Sequence, residues 1–127
     1  VSYINHLIRG VPYSRNKSRG NIGAADTWSE QVRAQTQDLP RVKEACALKV
    51  TFLLPPDKFP TDFPHGPDLD NLLKRFMDAL NSTIFSATPG GDSCVVMLTV
   101  MKTRVTSIGE AGAHLEVLPV SVTPARS

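Results

Sequence analysis

The chain has 127 residues, 41% of them hydrophobic and 20% charged, with a formal net charge of +2. That is enough apolar material for one core and too little for two, so a single domain over residues 1–127 is expected and a disordered chain is excluded. No apolar run approaches the ~20 residues needed to cross a bilayer, and two cysteines with three scattered histidines (His6, His65, His114) exclude a Cys/His zinc site.

The charge is unevenly spread. Residues 1–50 carry eight Lys/Arg against four Asp/Glu, and residues 51–127 carry six against eight. Within the first twenty residues Arg9, Arg15, Lys17 and Arg19 meet no acidic residue. A basic arm beside an acidic centre suits phosphate binding next to a metal site, although a solvated loop explains the arm equally well.

In chain order, "SYINHLIRGVP" reads as a strand ended by Gly10 and Pro12, and "YSRNKSRGNIG" as a polar loop. "VSYINHLIRG" has neither the basic start nor the long apolar centre of a signal peptide, so a cytoplasmic location with reduced thiols is expected. "ADTWSEQVRAQTQDL" predicts a helix capped by Asp26 or Thr27, anchored by Trp28, Val32 and Leu39 and closed by Pro40. "ACALKVTFLL" predicts a strand with Cys46, Leu48, Val50, Phe52 and Leu54 on one face. The five prolines of "PPDKFPTDFPHGP" then forbid regular structure.

The clearest element is the helix in "GPDLDNLLKRFMDAL". Leu69, Leu72, Leu73, Phe76, Met77 and Leu80 fall on one side, while Asp70, Lys74, Asp78 and Asn81 fall on the other. "IFSATPGGDS" follows as a glycine-rich turn, "CVVMLTVMKT" as a strand apolar enough to be buried on both faces, and "AHLEVLPV" as a last strand before the tail "SVTPARS". The expected fold is therefore α/β (α+β): a single-domain mixed sheet of about four strands flanked by two helices.

Two carboxylates at a helix start have an ordinary explanation, since Asp caps free N–H groups and an Asp four residues before a Lys forms a helix pair. The chemical explanation needs Asp68, Asp70 and Asp92 together. Three neighbouring carboxylates repel one another unless a hard divalent cation sits among them. Such a cation activates water for attack on a phosphodiester, with Lys74 neutralising phosphate charge. The glycine-rich turn is expected to aim Asp92 at Asp70, with Asp78 as the replacement if it does not.

"DLDNLLKRFMDAL" followed by "GDSCVVMLTVMK" resembles the signature of RusA-type Holliday junction resolvases, whose core is Asp-x-Asp-Asn-x-x-Lys with an Asp-Ala-Leu continuation. "IRGVPYSRNKSRG" and "LKVTFLLP" resemble the family's opening strand, basic loop and next strand. The resemblance implies a RusA-like fold and a homodimeric, Mg²⁺-dependent endonuclease (Mn²⁺ substituting) that cuts four-way junction DNA by paired symmetric nicks in recombination and repair. It implies Asp68, Asp70 and Asp92 as metal ligands, Lys74 as the catalytic lysine, and Arg15, Lys17, Arg19 and Lys102 at the DNA. The chain departs from the family at Gly91, where an aspartate commonly precedes the second acidic site, and at "DKFPTDFPHG", where some members carry arginines. Readings from other classes are a catalytically silent DNA-binding module and a metal-dependent phosphohydrolase of small substrates.

Overall fold

The computed structural model describes residues 4–12, 23–56 and 68–120. In chain order these form β1 (Ile4–Arg9), α1 (Gly23–Thr36), β2 (Cys46–Leu54), α2 (Leu69–Leu80), β3 (Val95–Arg104) and β4 (Gly112–Pro119), with single 3₁₀ turns at Gly91–Cys94 and Ile108–Glu110. The order expected from periodicity is the order found. The predicted basic loop, most of the proline-rich segment and the tail lie outside the described residues.

The strands form one sheet in the order β1-β4-β2-β3. β4 runs antiparallel to both β1 and β2, and β3 runs parallel to β2. A parallel neighbour cannot be reached by a hairpin, so the chain needs a crossover, and α2 supplies it. Together with two helices this is a small α+β domain with an open mixed sheet.

The alternation of β2 works as its sequence predicts, with Cys46, Leu48, Val50, Phe52 and Leu54 all buried. Facing them are Ile4 and Ile8 of β1, Ala113, Leu115 and Val117 of β4, Trp28 and Val32 of α1, and Leu72, Phe76, Ala79 and Leu80 of α2. Aromatic rings knit the layers. Trp28 stacks on Phe76 with centroids 6.2 Å apart, and Phe76 meets Phe52 of the sheet edge-on at 5.5 Å. Trp28 is thus a core anchor, as its spacing with Val32 implies.

α1 starts at Gly23, so Asp26 and Thr27 lie inside the helix and do not cap it. Two alanines, the best helix formers, carry it back past both. A larger departure concerns β3. Its apolar run reads as a strand buried on both faces, yet Val96, Met97, Leu98 and Met101 are 46–61% exposed. The reason is position: β3 is the outermost strand, with a neighbour on one side only.

Candidate active site

α2 begins at Asp68, which occupies the N-cap position in extended backbone (φ −69°, ψ 136°). The first turn closes through Leu72 N–H donating to the Asp68 carbonyl at 3.0 Å. The Asp68 carboxylate itself makes no capping bond. Asp70, in the first turn, and Lys74 are likewise exposed. Among the described residues no ion pair joins Asp70 to Lys74; the ion pairs found there link Glu116 to Lys49 and to His114. Neither ordinary explanation of this sequence is therefore realised: the first carboxylate does not cap, and the second does not pair with the lysine one turn on.

The position of this helix start follows from its other end and its middle. After α2, the Ile84 carbonyl accepts from Val42 N–H at 2.7 Å, just before β2, so α2 ends at the amino ends of β2 and β3. Phe76, halfway along, touches Phe52 near the carboxyl end of β2. Asp68 and Asp70 therefore stand beyond the carboxyl ends of β2 and β3, the end at which open α/β sheets take their ligands. Lys102 and Arg104 reach the same end from β3. They are in register with buried Phe52 and Leu54 and so lie on the helix side of the sheet. Lys102 is half-buried and Arg104 exposed.

Asp92 is elsewhere. It sits in the 3₁₀ turn Gly91–Cys94, where its Oδ2 accepts from Asn81 Nδ2 at 3.3 Å. Asn81 is the C-cap of α2. Eleven residues at a helical rise of about 1.5 Å put Asn81 roughly 16 Å along the axis from Asp70. Within one chain, then, Asp92 does not point at Asp70, because the crossover that makes β3 parallel carries it to the opposite end of the helix. Asp78, exposed two turns beyond Asp70, is on the way there. Among the described residues no three His, Cys, Asp or Glu side chains gather as a metal site. Asp68 and Asp70 still suit Mg²⁺, a hard cation that needs one or two protein carboxylates and completes its shell with water and phosphate oxygens.

The turn that holds Asp92 also explains the glycine before it. Gly91 has φ +59°, and a Cβ there would stand 2.8 Å from Asn81 Oδ1. An aspartate at this position would meet both the left-handed backbone and the residue that positions Asp92. Thr88 Oγ1 donates to the Gly91 carbonyl at 2.8 Å, and Ser93 N–H donates to the Gly90 carbonyl at 3.1 Å, so the turn is internally bonded. Sequence reasoning missed Asn81; its place at the polar end of the helix stripe was the available signal. Nearby, burial pushes the Cys46 thiol up to about 12, with adjacent Cys94 adding to the shift, so Cys46 is a packing residue and no nucleophile. Both cysteines are free.

Arg15, Lys17 and Arg19 lie outside the described residues, and Arg33 is half-buried on α1. No helix is long and apolar enough to cross a membrane among the described residues. No curated protein matches the chain. The family model described as Endodeoxyribonuclease RusA matches residues 23–117, from the first residue of α1 into β4, and the chain belongs to that family.

Proposed function

We propose that this RusA-family chain is a Mg²⁺-dependent endonuclease that resolves four-way DNA junctions as a homodimer, hydrolysing one phosphodiester in each of two strands. The reading is carried by one observation: Asp68, Asp70 and Lys74 stand exposed at the carboxyl end of the sheet, with the Asp68 carboxylate free of capping duty. Asp68 and Asp70 are the protein's oxygen donors for the cation. Bound there, Mg²⁺ supplies a water of lowered pKa and a counter-charge for the phosphate oxygens. Lys74, one turn on, brings its ammonium to the same polar face and neutralises charge gathering on the phosphate. Lys102 and Arg104 approach from β3 and hold the DNA backbone in place, joined by Arg15, Lys17 and Arg19 of the basic arm. Free Cys46 and Cys94 suit a reducing cytoplasm.

The test is cleavage of a synthetic four-way junction and of a linear duplex with Mg²⁺. The parent should nick the junction in two symmetric strands. Asp70→Asn should abolish nicking while junction binding is kept or tightened, because negative charge near the phosphates is removed. Lys74→Ala should cut turnover by about 10²-fold or more while changing stability by no more than about 0.5 kcal/mol. Junction binding without nicking by the parent would support the silent module. Hydrolysis confined to small phosphodiesters would support the phosphohydrolase.

A further inference from the structure

We infer that β3 pairs antiparallel with β3 of a second copy, and that Asp92 of the partner subunit thereby joins Asp68 and Asp70 at one composite site. The inference rests on the nuclease reading above only for its activity readout.

Three observations converge on it. β3 is the longest strand, ten residues, and has a free edge. Its apolar side chains are exposed in a way that no described element covers. An edge of this kind templates pairing with another strand, and a two-fold axis makes a strand its own partner. The charges then decide the occupant. Asp92 precedes the amino end of β3 and Arg104 closes its carboxyl end. In an antiparallel pair centred on Leu98, the two Leu98 residues oppose each other and each Asp92 opposes the partner's Arg104. Symmetry repeats the match at both ends, so a second copy satisfies this edge without any other chain.

The third observation is the misplaced carboxylate. In one chain Asp92 lies at the far end of α2 from Asp70. A two-fold axis perpendicular to the sheet leaves all four helices on one face and reverses the direction of the partner's α2. With strands about 4.8 Å apart, the two α2 helices lie about two strand spacings apart, roughly 10 Å, the usual distance for packed helices. The half-buried stripe Leu69, Leu73 and Met77 adjoins the column of Asp70 and Lys74 on α2 and is available for that contact. The carboxyl end of the partner's α2 then lies level with the start of this one. Asp92 of the partner subunit moves from a helix length away to the neighbouring helix end.

Complementation between two inactive variants tests this. Asp70→Asn and Asp92→Asn, each isosteric, are co-expressed with different tags, and the doubly tagged species is purified. If the site is composite, one of its two sites carries both substitutions and the other carries neither. The mixed species should then nick junctions at about half the parental rate per dimer, while each variant alone is inert. By calorimetry with Mn²⁺ alone it should bind one ion where the parent dimer binds two. A doubly tagged species that neither nicks nor binds Mn²⁺ overturns the inference, as does a parent that is monomeric by light scattering. A parent that binds two Mn²⁺ but cuts nothing defeats the nuclease reading instead, and the Mn²⁺ count of the mixed species then decides the composite site.

Discussion

At the β1 edge of the sheet, Gln35 of α1 lies against the strand backbone: its Oε1 accepts from Arg9 N–H and its Nε2 donates to the Arg9 carbonyl, both at 2.8 Å. The amide behaves as one residue of a further strand. β1 is short, six residues, and carries Arg9 at its end. At the β3 edge no such cover exists among the described residues. That strand is ten residues long and shows Val96, Met97, Leu98 and Met101 to solvent. Short, charged or covered edges resist pairing, and long apolar ones invite it. The two edges of one sheet are thus built for opposite purposes, and the open one flanks the acidic end of α2.

The most damaging way to break this contrast is Leu98→Lys. It would set like charges against each other across the two-fold pair, so the dimer should dissociate at micromolar concentration and junction cleavage should fall roughly a hundredfold or more. Light scattering and the nicking assay read both. Leu7→Lys, at a comparably exposed site on β1, is the matched control. It should leave the oligomeric state alone and shift stability by no more than about 0.5 kcal/mol. If both lysines act alike, the edges are not distinct.

Smaller effects sharpen the comparison. Gln35→Ala removes the strand mimic and should cost about 1–2 kcal/mol in urea unfolding, two net hydrogen bonds' worth. Gly91→Ala forces a side chain into left-handed backbone against Asn81, for about 1–2 kcal/mol, and loosens the turn that carries Asp92. The smallest expected effect is at the turn joining β3 to β4. Hydrogen bonds from the Thr106 hydroxyl and amide, with a further one from Ser107, hold the Glu110 carboxyl below its ordinary value near 4.5. A lowered folded-state value means the contribution is present above pH 4.5 and fades as pH falls through the folded value. Glu110→Gln should therefore narrow the Tm difference between pH 7 and pH 3, and an unchanged difference would show that this turn contributes nothing.

Periodicity gave a reliable account of what each segment is and a poorer one of where it sits. The helix stripe from Leu69 to Leu80 and the alternation from Cys46 to Leu54 record directly which face is buried, because a side chain's direction is fixed by its own backbone. Whether a strand has one neighbour or two is settled by other segments, which is why the run Val95–Met101 was read as interior. The same limit governs the acidic site. Asp68, Asp70 and Lys74 share one helix start and were legible together. Asp92 is joined to them only through strand direction and partner, neither of which a local pattern records. Gly91 makes sense only once Asn81 is seen beneath it.

The interior place of β4 has a consequence for how the chain is made. β4 is the last strand to leave the ribosome, yet it lies between β1 and β2, with Val117 opposite Ile4 and Leu48. At synthesis rates of about 5–20 residues per second, β1 waits on the order of 5–20 s for its sole neighbour. The β2–α2–β3 unit meanwhile holds all its own contacts and can collapse first. The nascent chain thus presents two unsatisfied edges of β2 and β3 together with a stranded β1. Closure by such distant pairing is slow. Chaperone demand should peak just before residues 112–119 emerge, and a circular permutant that opens the chain between β3 and β4 and so places β4 ahead of β1 should fold faster than the parent.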